Sequence, residues 1–545
     1  MRAFFSPGGL LARAHPHYEF RAGQLEMAQA VETALAGRKH LMVEAGTGTG
    51  KTLAYLVPAL LSGKRVVVST GTKNLQEQLF YKDVPFVLET LAENGLDHYR
   101  VTYMKGRGNY LCRQKLYDLR HSPSLALFEE ADSGFLRVLN TWEAETATGD
   151  RAELASLPET PEFNALWGRL DARREACSGE RCPQFDRCFI TQMRRRALEA
   201  DLVIVNHHLL FADLALKRSG VPGMAVLPGY QALIFDEAHE VEDVAGQYFG
   251  VSLSNYRVDD LGRGVERLFA KGGGSPEVHQ AAQRLARNAE IFFGLLPAVE
   301  GRQGFMEREA FLEAHGAAYS GFLSALDALH AALGALPPPA PGEDSGDAPS
   351  LMERALTLRG DAEFLVEGND SRFVHWIERR GRGAFLQATP IDVAELLEDQ
   401  LFGELDTVVL TSATLAVGGT LEFVRRRLGL RYAQEKVLDS HFDYPSQALL
   451  YLPRHLPDPR DGGFVDGAAE EVIRLLGASR GRAFVLFTSY AQMDQVYERV
   501  SGRVQFPLLM QGTAPRTALL DRFRARPGAV LFATASFWQG VDVPG

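Results

Sequence analysis

The sequence predicts an α/β protein built on parallel sheets with crossover helices, in two halves and with two long inserts. Short apolar runs alternate with helical patterns near both ends of the chain, the mark of strands joined by crossover helices. Between residue 106 and about residue 190 this rhythm stops, and every cysteine falls in that stretch. From about 250 to 375 the pattern turns helical, with Tyr319, Phe322, Leu326, Leu329 and Leu333 at steps of three and four.

The strands follow in order. Leu41, Met42 and Val43 read as the first, and Val66, Val67 and Val68 as the next. The runs from Leu202 to Val205 and from Ala232 to Phe235 continue the set, and Val408, Val409 and Leu410 look like a further member. A second series is predicted at Ala448 to Tyr451, Ala483 to Phe487 and Ala529 to Phe532. The chain thus divides into an αβ unit made from residues 1–105, 191–249 and 376–435, a cysteine-bearing insert at 106–190, a helical insert at 250–375, and a second αβ unit at 436–545. Residues 336–350, rich in proline and polar groups, read as a flexible connector.

Composition narrows the class. Apolar residues make up 46% and charged residues 23%, which suits a chain with a sizeable buried core. No apolar run is long enough to span a membrane, and the start is too polar for a secretory leader, which points to the cytoplasm. The net charge of −11 excludes a generally basic surface, so any nucleic acid must bind in a confined groove. The basic runs at Arg194 to Arg196, Arg379 to Arg382 and Arg425 to Arg427 read as solvated helix faces.

The clearest chemistry lies in Glu44-Ala45-Gly46-Thr47-Gly48-Thr49-Gly50-Lys51-Thr52, which follows a strand and opens a helix. Its glycines let backbone N–H groups turn inward around a triphosphate, so Gly46, Thr47, Gly48, Thr49, Gly50, Lys51 and Thr52 are candidate ATP contacts. Lys51 brings positive charge to the β- and γ-phosphates, and the Thr52 hydroxyl suits Mg²⁺. Downstream stands Asp236-Glu237-Ala238-His239 at the carboxyl end of a buried strand. Asp236 is expected to hold Mg²⁺, Glu237 to deprotonate the attacking water, and His239 to sense the phosphate state.

The four cysteines stand at 112, 177, 182 and 188. In a reducing compartment such clustering favours a metal or cluster site over disulfides. The spacing lacks the paired knuckles of most zinc folds, yet four thiolates suit either Zn²⁺ or a [4Fe–4S] cluster.

These pieces, in this order, resemble superfamily 2 helicases. The phosphate loop has the Ala-x-x-Gly-x-Gly-Lys-Thr form found in that group. Ser69 to Gln76 and Thr411-Ser412-Ala413-Thr414 are similar to its motifs Ia and III. Phe487-Thr488-Ser489-Tyr490 looks like motif IV, and Phe537 to Asp542 like motif V, which assigns Gly540 and Asp542 to the nucleotide. Arg21 and Gln24 stand where the adenine-reading Q motif has them. Lys105-Gly106-Arg107-Gly108-Asn109-Tyr110-Leu111-Cys112 with the later cysteines resembles the iron–sulfur helicases related to XPD. Val205-Asn206-His207-His208 and Phe442-Asp443-Tyr444 look like the bacterial DinG group, particularly its YoaA members. Gln539 and His441 depart from that group's usual Glu and Pro, without removing a catalytic group.

The resemblance implies two RecA-like P-loop motor domains with an inserted iron–sulfur cluster domain and an inserted helical arch, clamping ATP and Mg²⁺ between the motors. It implies a [4Fe–4S] cluster on Cys112, Cys177, Cys182 and Cys188, and 5′→3′ movement on single-stranded or forked DNA, with DNA–RNA hybrids as further substrates. His207 and His208 read as structural. Thr70 and Lys73 are expected on the DNA backbone, with Lys105, Arg107 and Tyr110 adding charge and stacking. A translocase or remodeller that hydrolyses ATP without separating strands, or a binding protein with an idle motor, would carry many of the same motifs. The motif VI pattern Gln-x-x-Gly-Arg-x-x-Arg has no match between Asp439 and Gly545, and Arg516, Arg522, Arg524 and Arg526 precede the place for it. The expectation is therefore a fragment of a longer gene product that binds nucleotide weakly and does not couple hydrolysis to unwinding.

Overall fold

Fourteen strands occur among the described residues. In chain order they are β1 (Leu41–Ala45), β2 (Val66–Thr70), β3 (Val101–Tyr103), β4 (Leu202–Asn206), β5 (Ala232–Asp236), β6 (Val251–Ser254), β7 (Gly301–Gly304), β8 (Phe373–Arg380), β9 (Gly383–Pro390), β10 (Thr407–Ser412), β11 (Gln434–Leu438), β12 (Ala483–Leu486), β13 (Leu508–Met510) and β14 (Val530–Ala533). The computed structural model describes residues 1–15, 18–121, 130–154, 160–173, 177–218, 225–270, 274–298, 301–337, 348–440, 442–514, 516–534, 537–538, 541 and 543.

Seven strands form one parallel sheet in the order β11-β1-β10-β5-β2-β4-β3. Strands β2, β4 and β5 are buried along their whole length, which is why they read as unbroken apolar runs. Alternation divides them between two cores. Val67, Val203, Val205, Leu233, Phe235, Val408 and Leu410 pack on one face, and Val66, Val68, Ile204, Ala232, Ile234 and Val409 on the other. The polar edge strand β11 and three-residue β3 complete the sheet; neither is among the strands read from the sequence.

A second, smaller sheet has the order β12-β14-β13, also parallel. The strand expected at 448–451 is absent: that segment is irregular, with Leu449 94% and Leu450 82% exposed. Apolarity alone suggested it, and the segment pairs with no strand among the described residues.

The stretch expected to be helical also contains strands. Helices Asn255–Ala270, Pro276–Leu295, Arg308–Gly334 and Ala348–Val366 share a core with an antiparallel sheet, β6-β9-β8-β7. Ile377, Ala384, Leu386 and Ala388 of the β8–β9 hairpin belong to that core, so the expected boundary at 375 cuts through β8. The Arg379-to-Arg382 run is the tip of this hairpin, turned at Gly381 in the left-handed region, rather than a helix face. Arg379 donates to the Phe293 and Leu296 carbonyls and Arg380 pairs with Glu378, so both serve the fold. Most of the connector at 336–350 lies outside the described residues.

The cysteine-bearing insert has its own core of Leu111, Leu116, Leu139, Leu154, Phe163, Leu166, Trp167, Leu170 and Phe189. No helix among the described residues is long and apolar enough to cross a membrane.

Candidate functional site

The motifs converge because the large sheet is parallel: the carboxyl ends of β1, β10, β5, β2, β4 and β3 share one edge. Register sets Glu44 beside Ser412 and Thr411 beside Asp236, so the phosphate loop, the Ser412 turn and the carboxylates lie on three adjacent strands.

The phosphate loop closes on itself before its helix, Lys51–Leu61, begins. Thr49 N–H and its hydroxyl both donate to the Gly46 carbonyl, at 3.3 and 2.8 Å. Gly48 and Gly50 have φ of 79° and 82°, a conformation that only glycine adopts without cost. Gln24, buried, donates to the Gly50 carbonyl at 3.1 Å, and a Cβ on Gly50 would collide with its amide. Arg21 donates to the Gly48 carbonyl. The two residues expected to read adenine thus also hold the phosphate loop.

Asp236 is buried under the loop. Its Oδ2 accepts from the Tyr55 hydroxyl at 3.0 Å and its Oδ1 from Glu237 N–H at 3.1 Å. Burial, and then the neighbouring Glu237 charge, push its carboxyl up to about 6, while Lys51 acts in the opposite direction. A divalent cation on this carboxylate would favour the ionised form. Glu237 is a non-glycine residue in the left-handed region, φ 58°, and this turn aims its side chain back across the sheet edge. Ser412 joins the two ends of the motif: its hydroxyl donates to Glu237 Oε2 at 3.4 Å and lies 2.8 Å from His239 Nδ1. Sequence reasoning placed Ser412 in motif III but gave no role to it, to Tyr55 or to Glu44. The Glu44 carboxylate accepts from Leu415 and Ala416 N–H, each at 2.5 Å, and so ties the phosphate loop to the Ser412 turn.

Residues 26–86 match the family model of the DEAD/DEAH box helicases, and residues 472–545 that of the helicase C-terminal domain. Along 99% of its length the chain is 35% identical to the ATP-dependent DNA helicase YoaA of Haemophilus influenzae, covering 82% of that protein. The figures for YoaA of Escherichia coli are the same. The ATP-dependent helicase DinG of Mycobacterium tuberculosis is 34% identical over 96% of this chain and 80% of its own length. The chain belongs to the YoaA/DinG helicase family. A solved XPD helicase overlays with a TM-score of 0.49 at 14% identity, over 95% of this chain and 80% of that one.

In this YoaA/DinG chain the expected DNA contacts divide by burial. Lys73 is exposed and donates to Asn109 Oδ1 at 2.8 Å. Arg107 is half-buried. Thr70 is buried, with its hydroxyl donating to the Thr72 carbonyl at 3.1 Å. Lys105 and Tyr110 are 2% and 1% exposed, which corrects their reading as surface contacts. The Lys105 ammonium pairs with Glu77 and Asp150, and the Tyr110 hydroxyl accepts from Lys105 N–H, so neither reaches a strand in this arrangement.

None of the four cysteines is in a disulfide. Cys112 caps the helix Arg113–Arg120 and Cys188 the helix Phe189–Glu199, and both pack against the main core. Burial pushes the Cys112 thiol up and the Cys188 charge adds to it, while the N–H groups of Lys115 and Gln114 favour a thiolate. Cys182 is half-buried and Cys177 exposed on the loop that leads to Cys188. Among the described residues no three of His, Cys, Asp and Glu gather as a metal site. Gly540 and Asp542, with the departures at Gln539 and His441, lie outside the described residues.

Proposed function

We propose that this chain is an ATP-dependent DNA helicase that uses hydrolysis at the β1–β10–β5 edge to move 5′→3′ along single-stranded DNA and open duplexes. The observation that carries this is the meeting, at the carboxyl ends of three adjacent strands, of the phosphate loop after β1, Ser412 at the end of β10, and Asp236 with Glu237 at the end of β5. The phosphate-loop amides and Lys51 cradle the triphosphate, and Thr52 with Asp236 would hold Mg²⁺, which neutralises charge on the phosphates. Glu237 takes a proton from water as its oxygen attacks the γ-phosphorus, and the bond to the bridging oxygen breaks toward ADP. Ser412 holds Glu237 and His239 in register, so a change at the γ-phosphate reaches the β10 turn.

The domain scheme is part of the same reading: two motor domains around the large and small parallel sheets, a cluster insert and a helical arch. Cys112, Cys177, Cys182 and Cys188 would bind one [4Fe–4S] cluster. Cys112 and Cys188 stand at the N-cap positions of two helices beside the core, a setting that suits thiolate ligation. Such a cluster would supply a rigid cross-link to an insert whose own core is small. Lys73 and Arg107 are the side chains left free enough to meet a DNA backbone. Forked DNA and DNA–RNA hybrids are the substrates to try, and the cytoplasm is the compartment.

Turnover of ATP with and without single strands, beside strand displacement on duplexes with a 5′ or a 3′ tail, tests the proposal. Stimulated turnover with displacement only from the 5′ tail is the expected result. Stimulated turnover with no displacement would make the protein a translocase, and displacement from the 3′ tail would reverse its direction.

A further inference from the structure

His207 follows β4 directly, and the chemistry above does not use it. It is fully buried. Nδ1 lies 2.7 Å from the hydroxyl of Ser69, itself buried near the end of β2. On the other side the main-chain carbonyls of Glu237 and Asp236 face the ring, although Nε2 closes no hydrogen bond among the described residues. The ring also lies against Phe235, with centroids 5.5 Å apart.

Full burial favours the neutral imidazole, which carries one N–H. The Ser69 hydroxyl can donate to Nδ1, which leaves the proton on Nε2, toward the carbonyls of the catalytic turn. A buried N–H poised beside carbonyls without a closed bond is a joint that small movements make or break.

A second contact runs parallel to it. Gly71 sits so close to the Glu240 carboxylate that a Cβ there would collide with it, and Glu240 Oε1 is 3.9 Å from His239 Nε2. Between the two contacts runs the Ser69-to-Thr72 segment. Thr72 caps the helix Lys73–Gln78 by accepting Leu75 N–H at 3.2 Å, so any shift of the segment carries Lys73 with it.

We propose that His207 is a positioning residue: it links the Asp236–Glu237 turn to the Ser69–Lys73 segment, so that DNA at Lys73 sets the placement of Glu237 for water activation. This rests on the helicase reading. The left-handed backbone of Glu237 is the element that responds, because a turn in that region moves its side chain when either carbonyl is drawn toward Nε2.

The test is ATP turnover by the whole gene product, with and without oligothymidylate, for the parent, H207N, S69A and the double variant. Asn reaches Ser69 but not the carbonyls, and S69A cuts the other side of the joint. Each single change is expected to lower the ratio of stimulated to basal rate about tenfold, the scale of coupling between linked sites, and the double variant to lower it no further. A ratio unchanged in S69A, or single effects that multiply in the double variant, would overturn the proposal. Thermal midpoints separate coupling from packing, since a residue that only fills space would change both rates together and leave their ratio. If H207N does not fold, S69A, which removes one oxygen, decides alone. A parent enzyme indifferent to single strands would remove the helicase reading, and this joint with it.

Discussion

Lys105 Nζ lies 2.6 Å from Asp150 Oδ2, and both side chains are buried. Glu77 Oε1 is equally close to the ammonium, and the Tyr103 hydroxyl donates to the same Asp150 carboxylate at 2.9 Å. Asp150 belongs to the cysteine-bearing insert and Glu77 to the Lys73–Gln78 helix, so one lysine pins the insert to the motor sheet. Burial works against its charge, but Asp150 and Glu77 outweigh that and hold its pKa above the ordinary value.

Removing one partner of such a pair leaves an uncompensated buried charge. Lys105→Met is expected to lose about 3 kcal/mol of stability, whereas an exposed basic residue loses little. The paired measurement is single-strand affinity against salt concentration. Lys73→Ala should lower the salt slope by about one unit, and Lys105→Met should leave it unchanged in the folded fraction. A lower slope for Lys105→Met would restore it as a DNA contact.

At the nucleotide site the roles of Lys51 and Glu237 separate. Lys51→Ala and Glu237→Gln should each lower turnover by at least about 10²-fold, since each removes charge or base where the phosphoryl group reacts. Only Lys51→Ala should also weaken nucleotide binding, read by fluorescence of a labelled analogue. Normal hydrolysis by Glu237→Gln would pass the base to another group.

The nucleotide motifs were legible because each is short, contiguous and set at a strand end. What joins them was not. Ser412 meets Glu237 and His239 only because β10 lies between β1 and β5, an order that chain sequence does not reveal. The basic and aromatic character of Lys105 and Tyr110 suggested DNA, but packing of the insert through Asp150 decided their burial. In β8 and β9 the Arg-rich tip masked an alternating hairpin. Its apolar residues face a helical core that no local pattern announces.

The cysteine set makes a separate prediction. Protein purified without oxygen should carry iron and a broad visible absorbance, and each Cys→Ser change at 112, 177, 182 or 188 should remove most of both. Unwinding should fail in these variants while part of the ATP turnover survives, because none of the four cysteines belongs to the phosphate loop or the Asp236–Glu237 turn. Stoichiometric zinc without iron would replace the cluster with a structural metal site.

Asp83 gives the pH prediction. It ends the wide helical turn Leu79–Asp83, and burial pushes its carboxyl up to about 6, with Lys82 lowering it somewhat. Between the ordinary carboxylate value of 3.8 and that raised value, the folded protein keeps a proton that the unfolded chain releases. Stability from this group therefore falls as pH rises through that window, the reverse of a salt-bridged carboxylate. Asp83→Asn removes the half-buried charge. The variant should match the parent near pH 4 and exceed it by on the order of 2 kcal/mol near pH 8. Urea melts at several pH values check the sign. A variant less stable than the parent near pH 8 would mean that the Asp83 carboxylate is held by a favourable partner, and that burial is not the dominant influence on it.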